Sequence, residues 1–377
     1  MAELSSGAEP KRGFLRRHAG RLVASFVVTV CVLWGLRHSG LDLIPPRSAF
    51  DHVRWWTVPT YLFFVMGMTY FRAVRWRYLL RRVATVPTSR LLSISLVGFA
   101  AILLLPFRLG EFVRPAMLRE KGKVSFSAAT GSIIADRIVD GLYLSAVLAV
   151  ALFVVPTAHP LPEKIVGLPL TVTQVRGYAF FTFAGFAGAL ATIAVYFFAR
   201  KWAHRATVAV FGIVSKKLAE RLAHEAERLA DGLDVLRSPR DAAGFLFEST
   251  LYWAINASGM WFLAWGAGLE HADGSAPTFG EAAAMMGMLG ITILIPGPPG
   301  LLGIFQAGMF CGMTFYYPAE IVRERGAAYA CLLFLVQVTF TVIAGGIALF
   351  GGHGSLKAIA AAETEKEPAD AEAKATT

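Results

Sequence analysis

Charge is what this chain has least of, and its scarcity excludes an ordinary water-soluble domain. Asp, Glu, Lys and Arg make up only 16% of the residues while 55% are hydrophobic, well short of the charged share a soluble surface carries. Cysteine is nearly absent too. Cys31, Cys311 and Cys331 are odd in number and sit in apolar runs, which reads as small core residues and not as a disulfide framework. No Gly-x-x-x-x-Gly-Lys loop is present, so ATP-driven pumping by a P-loop within this chain is excluded. The eight histidines are scattered, with no His-Glu-x-x-His and no cysteine pair; neither a metal nor another cofactor is expected. Strand-like alternation is missing, which excludes a membrane barrel.

What is present is a series of apolar runs, several long enough to cross a bilayer, and the expected fold class is an all-α polytopic membrane protein. The net charge of +10 could suggest nucleic acid. The basic residues cluster beside apolar segments, however, where they read as cytoplasmic anchors, and no nucleic-acid partner is expected. Residues 1–20 form a basic cytoplasmic N-terminus with Lys11, Arg12, Arg16 and Arg17. No Ala-x-Ala-like site follows, so an uncleaved first helix is expected. The first membrane half covers 21–155, with spans near 21–36 and 57–71. Arg72, Arg75, Arg77, Arg81, Arg82 and Arg90 then mark a cytoplasmic patch.

The run from Leu91 to Leu105 is broken at Leu105-Pro106-Phe107-Arg108-Leu109-Gly110-Glu111. Proline removes a backbone donor and glycine frees the backbone, so the helix should end here. Arg114, Arg119, Lys121 and Lys123 follow. With basic residues on both flanks, a re-entrant hairpin over 91–118 is the simplest solution. A long helix from 126 to 155 carries Asp136, Arg137 and Asp140 on one face. An external loop and a span occupy 156–200. Residues 201–240 hold an amphipathic cytoplasmic segment, with leucines at spacings of three, four and seven, that either lies on the inner leaflet or packs as a linker. The rest of the second half covers 245–350 and contains a second break at Ile295-Pro296-Gly297-Pro298-Pro299-Gly300. A re-entrant segment over 281–317 is expected; a single discontinuous span there would put the C-terminus outside. Residues 355–377 are rich in Ala, Glu, Lys and Thr and read as a disordered tail. The count is about six spans plus two opposed re-entrant hairpins in an inverted repeat, with both termini cytoplasmic. Paired breaks of this kind point to a binding site between the repeats.

Ionisable residues beside such breaks are costly in lipid and suggest function. Arg108 and Arg114 have the donor fork that suits phosphate, although Arg108 could instead pair with Glu111 and hold the hairpin shut, and Arg114 could be an interfacial anchor. Glu111 could accept a coupling proton or serve only in that pair. Asp136, Arg137 and Asp140 read either as a structural network or as part of the site.

At these residues the sequence resembles the flippase-like membrane family that includes the transmembrane region of lysylphosphatidylglycerol synthases. Leu105-Pro106-x-Arg108-Leu109-Gly110-Glu111-x-x-Arg114 looks like its first signature, and Asp136-Arg137-x-x-Asp140-Gly141 like its acidic-Arg-x-x-Asp element. Residues 295–306 are similar to its Pro-Gly-x-x-Gly-x-Gly segment, with Leu301 where glycine is common and Gln306 where glutamate is. The resemblance implies translocation of a lipid or lipid-linked headgroup, in what is expected to be a bacterial cytoplasmic membrane. The candidate headgroup-binding residues are Arg108, Gly110, Glu111, Arg114, Arg137, Pro296, Gly297, Gly300, Gly303 and Gln306. Glu111, Asp136 and Asp140 are the candidate coupling or structural acids. The partner is the lipid itself. A membrane transferase with Glu111 or Asp140 as base is an alternative, as is a non-catalytic subunit of a separately encoded lipid-modifying synthase. A complete aminoacyl-lipid synthase would need a large soluble catalytic domain, for which too few residues follow the last span.

Overall fold

A computed structural model of the chain describes residues 45–81, 85–105, 110–120, 126–158, 171–212, 238–293 and 299–353, with isolated positions between 215 and 227. The expected first span, the tips 106–109 and 294–298, residues 228–237 of the amphipathic segment and the tail from 354 lie outside the described residues. Among those described there is no strand, and the architecture is all-helical. The helices are α1 (Thr57–Val74), α2 (Trp76–Leu80), α3 (Thr88–Leu104), α4 (Val113–Glu120), α5 (Phe126–Val154), α6 (Val172–Phe198), α7 (Arg200–Phe211), α8 (Pro239–Gly266), α9 (Phe279–Ile293), α10 (Ile304–Met313), α11 (Ala319–Arg323) and α12 (Arg325–Ala348).

Helix starts follow local chemistry. Thr171 accepts from the Gln174 backbone N–H at 3.3 Å and its own N–H donates to Gln174 Oε1 at 2.9 Å, a capping box that begins α6 earlier than the apolar run alone implies. Thr278 and Glu281 make the same reciprocal pair at the start of α9. α8 starts on Ser238 with Pro239 in its first turn, where a missing N–H costs nothing.

Among the described residues two helices, Ala129–Val154 and Ala319–Gly351, are long and apolar enough to cross a membrane by length and composition. Large apolar side chains face outward along both of these and along α1 and α6: Phe63, Phe153, Phe181 and Phe350 are each more than 70% exposed. Large aromatic rings exposed in this way would drive association of a water-soluble protein; on a membrane protein they face lipid.

The first and second halves of the chain interlock. α1 packs along α8, α3 along α12, and α9 along α5, while α3–α4 and α9–α10 form helical hairpins. Each hairpin thus lays its first helix on a long helix from the other half. Glycines permit the close approach. A Cβ on Gly345 of α12 would lie 2.4 Å from Ala100 Cβ and 2.9 Å from the Leu96 carbonyl, and one on Gly287 of α9 would lie 2.8 Å from Leu148 Cβ. Small residues at such crossings let backbones gain dispersion contacts that apolar lipid cannot supply otherwise. Two cores result. The larger gathers α1, the distal part of α5, α8, α9, α10 and α12. The smaller gathers α2, α3, α4 and the proximal part of α5 around Trp76.

Gly345 and Gly346 make a stringent test of the α3–α12 crossing. Gly345→Ala should lower the thermal midpoint, by about 1–3 kcal/mol of overpacking. Gly346, beside which a Cβ would meet nothing within 4 Å, should accept alanine neutrally or gain up to about 1 kcal/mol of helix propensity. Equal effects of the two substitutions would disprove the crossing.

Candidate functional site

The polar centre of the molecule is built where α1 ends. Its C-cap, Arg75, is completely buried, against the expectation that it belongs to a solvated cytoplasmic patch. The reason lies on α5. Arg75 Nη2 donates to Asp140 Oδ1 at 2.6 Å and pairs with Asp136 Oδ1 at 3.0 Å, while Nη1 donates to Ser249 Oγ of α8 at 3.1 Å. Buried charges persist only when paired, and one arginine here ties three helices together. Asp136 is held by charge: Arg75, Arg114 and Arg137 all lie within 4.0 Å of its oxygens, without hydrogen-bond alignment. Asp136 and Asp140 share a helix face, one turn apart, as their spacing predicts, and Arg137 spans both at 3.9 Å.

Arg114 enters from α4 and is buried as well. Its guanidinium stacks over Trp76 at 4.1 Å and donates to Ser95 Oγ of α3 at 3.3 Å. To reach there it crosses Gly98, where a Cβ would sit 2.2 Å from Arg114 Cγ. Trp76 is itself fixed by a bond from Nε1 to Ser132 Oγ at 3.0 Å. Arg72, one turn before Arg75, lies over Phe99 at 4.4 Å. On the flank, Arg77 and Tyr78 bond Glu248, and Arg81 pairs with Asp241, which clamps α2 to α8.

Two cavities open beside this cluster and share Met68, Arg72, Arg137, Ile293 and Gln337. The larger, of about 400 Å³, also meets Glu111, Asp140, Tyr252, Trp253 and Asn256. The smaller, of about 190 Å³, runs between the hairpins, past Ile102 and Leu103 of α3 to Gly300, Leu301 and Phe305. Its wall carries the two arginines and no acid. Several of their N–H groups, Arg72 Nε and Arg137 Nε and Nη2, are buried without an acceptor. Buried donors left unmade are rare and call for a partner. Chemically, the junction of the cavities can hold an anion.

The candidates from sequence fall into four groups. Glu111, Arg137 and Asp140 line the larger cavity and Gly300 the smaller. Asp136 and Arg114 are buried in the cluster behind them. Gly110 packs so closely that a Cβ would lie 2.1 Å from the Ala101 backbone, and Gln306 spends its carbonyl on the N–H of Gly303 at 2.7 Å, as the cap of α10. Arg108, Pro296 and Gly297 lie outside the described residues. The residues that sequence reasoning missed are Arg72 and Arg75. The available signal was their spacing: 72, 75–76 and 79–80 fall on one helical stripe with Trp76, Leu79 and Leu80, all three of which are buried.

A second polar cluster fastens the start of α9. His271 Nε2 lies 2.9 Å from Glu281 Oε1, Tyr317 donates to Glu281 Oε2 at 2.8 Å, and His271 stacks on Tyr317. Ser275 gives its proton to Asp273 at 2.6 Å and so holds that carboxyl below the usual range. A serine committed in this way is no nucleophile for His271, and the cluster reads as a clasp on the 267–278 loop.

Residues 21–345 match the family model of the lysylphosphatidylglycerol synthase TM region. No curated protein and no solved structure shows significant similarity to the chain.

Arg75→Ala should take from both aspartates their nearest cation, leaving them Arg114 and Arg137 at 3.9–4.0 Å, and cost about 3–5 kcal/mol, enough to prevent recovery of folded protein. Combining it with Asp140→Asn, which leaves Asp136 to Arg114 and Arg137, should restore a measurable thermal transition. A single mutant that melts like the wild type would refute the pairing.

Proposed function

Because the chain belongs to the lysylphosphatidylglycerol synthase TM region family, a family of membrane proteins related to lipid-modifying synthases, we propose that it translocates a phosphate-bearing lipid headgroup. The headgroup belongs to a phospholipid, a glycolipid or a polyprenyl-linked carrier. It crosses through the cavity between the two hairpins while the acyl tails stay in the bilayer, which spares about 0.8 kcal/mol for every methylene kept in lipid. The observation that carries this reading is the junction of the two cavities at Arg72 and Arg137, where buried guanidinium N–H groups lack acceptors. A phosphate offers the anionic acceptors that such donors fit.

The proposed topology is six spans and two opposed re-entrant hairpins, with both termini in the cytoplasm. The arm lengths support it. α3, α9 and α10 have 17, 15 and 10 residues, short of the roughly 20 that a crossing helix needs. The swapped packing of α3 on α12 and α9 on α5 is what two related halves facing opposite ways would produce. In the transferase alternative the base would be Glu111 or Asp140. Asp140 is pinned by Arg75 at 2.6 Å, which disfavours it for that role.

Purified protein in liposomes should move a labelled phospholipid between leaflets without changing its mass, whereas a transferase would change it. Arg72→Gln and Arg137→Gln should each slow flipping about tenfold, the effect of losing one charge-assisted contact. The exposed Trp202 should accept phenylalanine with no change. Flipping at the wild-type rate by both arginine variants would exclude the cavity route. Topology has its own test, in a chain freed of Cys31, Cys311 and Cys331. Single cysteines at Thr85 and Lys121 should both be shielded from an impermeant reagent outside intact cells. Labelling at 121 with 85 protected would turn the first hairpin into a span.

A further inference from the structure

Two residues in the wall of the larger cavity each carry a buried polar atom that has nothing to bond. Trp253 is 7% exposed, yet its indole N–H has no acceptor. One turn further along α8, the buried Asn256 Oδ1 has no donor. Both residues line the cavity that Arg72 and Arg137 also line. A buried indole N–H normally finds a partner, and packing holds this one in place. The ring stacks on Tyr143 with centroids 6.2 Å apart and 13° between the planes, and Tyr252 lies 4.2 Å away on the same helix.

A donor and an acceptor three residues apart share one helix face, and the pair selects among ligands. An ammonium group only donates, so it would leave the indole N–H unmet. A phosphate or carboxylate only accepts, so it could take the Asn256 amide N–H but would leave its Oδ1 unmet. A hydroxyl does both, and the C–H faces of a polyol pack against aromatic rings. The phosphate subsite is adjacent, since Arg72 lies 6.0 Å from the Tyr252 ring. Asp140 and Glu111 line the same cavity and would attract an amine, but Asp140 is already bonded by Arg75 at 2.6 Å, and Arg72 and Arg137 repel a second cation.

We propose that Trp253 and Asn256 form a polyol subsite next to the arginines, so that the cavity selects a polyol phosphate, bearing glycerol or a sugar, over an amine-bearing headgroup. The claim concerns binding and rests on the translocator reading only for its transport consequence.

The experiment measures binding of short-chain phosphatidylinositol, phosphatidylglycerol, phosphatidylethanolamine and phosphatidic acid to the full chain in detergent, alongside flipping in liposomes. The wild type should favour the two polyol lipids about tenfold over the others. Trp253→Phe keeps the ring and removes the N–H; it should cut that preference severalfold while leaving phosphatidic acid binding and the thermal midpoint unchanged. Asn256→Leu should act alike. Competition by soluble glycerol phosphate as effective as that by the lipids would support the subsite and assign it to free polyol phosphates; weak competition would support it and assign it to lipid. A wild-type preference for phosphatidylethanolamine, or an unchanged preference in both variants, overturns the subsite. A flat preference with intact flipping overturns the subsite alone, and an intact preference without flipping overturns the translocator alone. Binding of none of the four lipids overturns both.

Discussion

Arg75 holds a charge where no water reaches it, and the rest of the structure is arranged to make that tolerable. Its guanidinium is shared between Asp136 and Asp140 of α5 and Ser249 of α8, so the end of α1 can rest in only one place. Because a buried pair is weak as a source of stability but severe when broken, its effect is on register more than on net free energy. With α1, α5 and α8 fixed against one another, Arg137 is brought to the cavity wall by the same turn of α5 that supplies the two aspartates. Arg114 adds a fourth helix to the arrangement through Asp136 and Trp76. The structural network and the site are therefore one object. The inner layer neutralises itself, and the outer layer, Arg72 and Arg137, keeps donors in reserve.

Much of the fold was legible in the sequence because helix breaks are local chemistry. α3 and α9 end near the residues where the sequence places the breaks, and α5 matches its expected range within one residue. The all-helical membrane class followed from composition. The acidic pair on α5 was legible as well, since a spacing of four puts two side chains on one face whatever they meet. What could not be read was the partner. A rule that assigns arginines to the cytoplasm by their distance from an apolar run treats Arg72 and Arg75 like Arg77 and Arg81. The stripe shared with Trp76, Leu79 and Leu80 marks Arg72 and Arg75 as inward-facing, but what Arg75 meets there, residues more than sixty positions away, shows only in the tertiary structure. Gln306 shows the converse. Its place beside the second break suggested a ligand contact, while its carbonyl caps the helix that the break creates.

The two hairpins differ where they face the cavities. The first presents apolar residues from α3 and one acid, Glu111. The second bends through Gly300 and Leu301, both at positive φ, and Leu301 is the one non-glycine residue among those described that does so. A branched side chain in that region stores roughly 1–3 kcal/mol of strain, maintained by the packing of α9 and α10 behind it. Among the described residues, the backbone strain at the cavity therefore lies in the wall supplied by the second hairpin.

The interlocking of the halves also has a consequence for synthesis. Ribosomes deliver α3 long before α12, and α5 long before α9, yet each of those helices needs its late partner to cover a glycine-lined crossing. Arg75 can find Asp136 and Asp140 as soon as α5 emerges, but Ser249 comes only with α8. The first half must therefore wait in the bilayer with its charges internally paired and its α3 groove open to lipid. The Arg75 cluster thus divides in order of synthesis: its charge pairs are complete within the first half, and its contact to Ser249 closes only when the second half arrives.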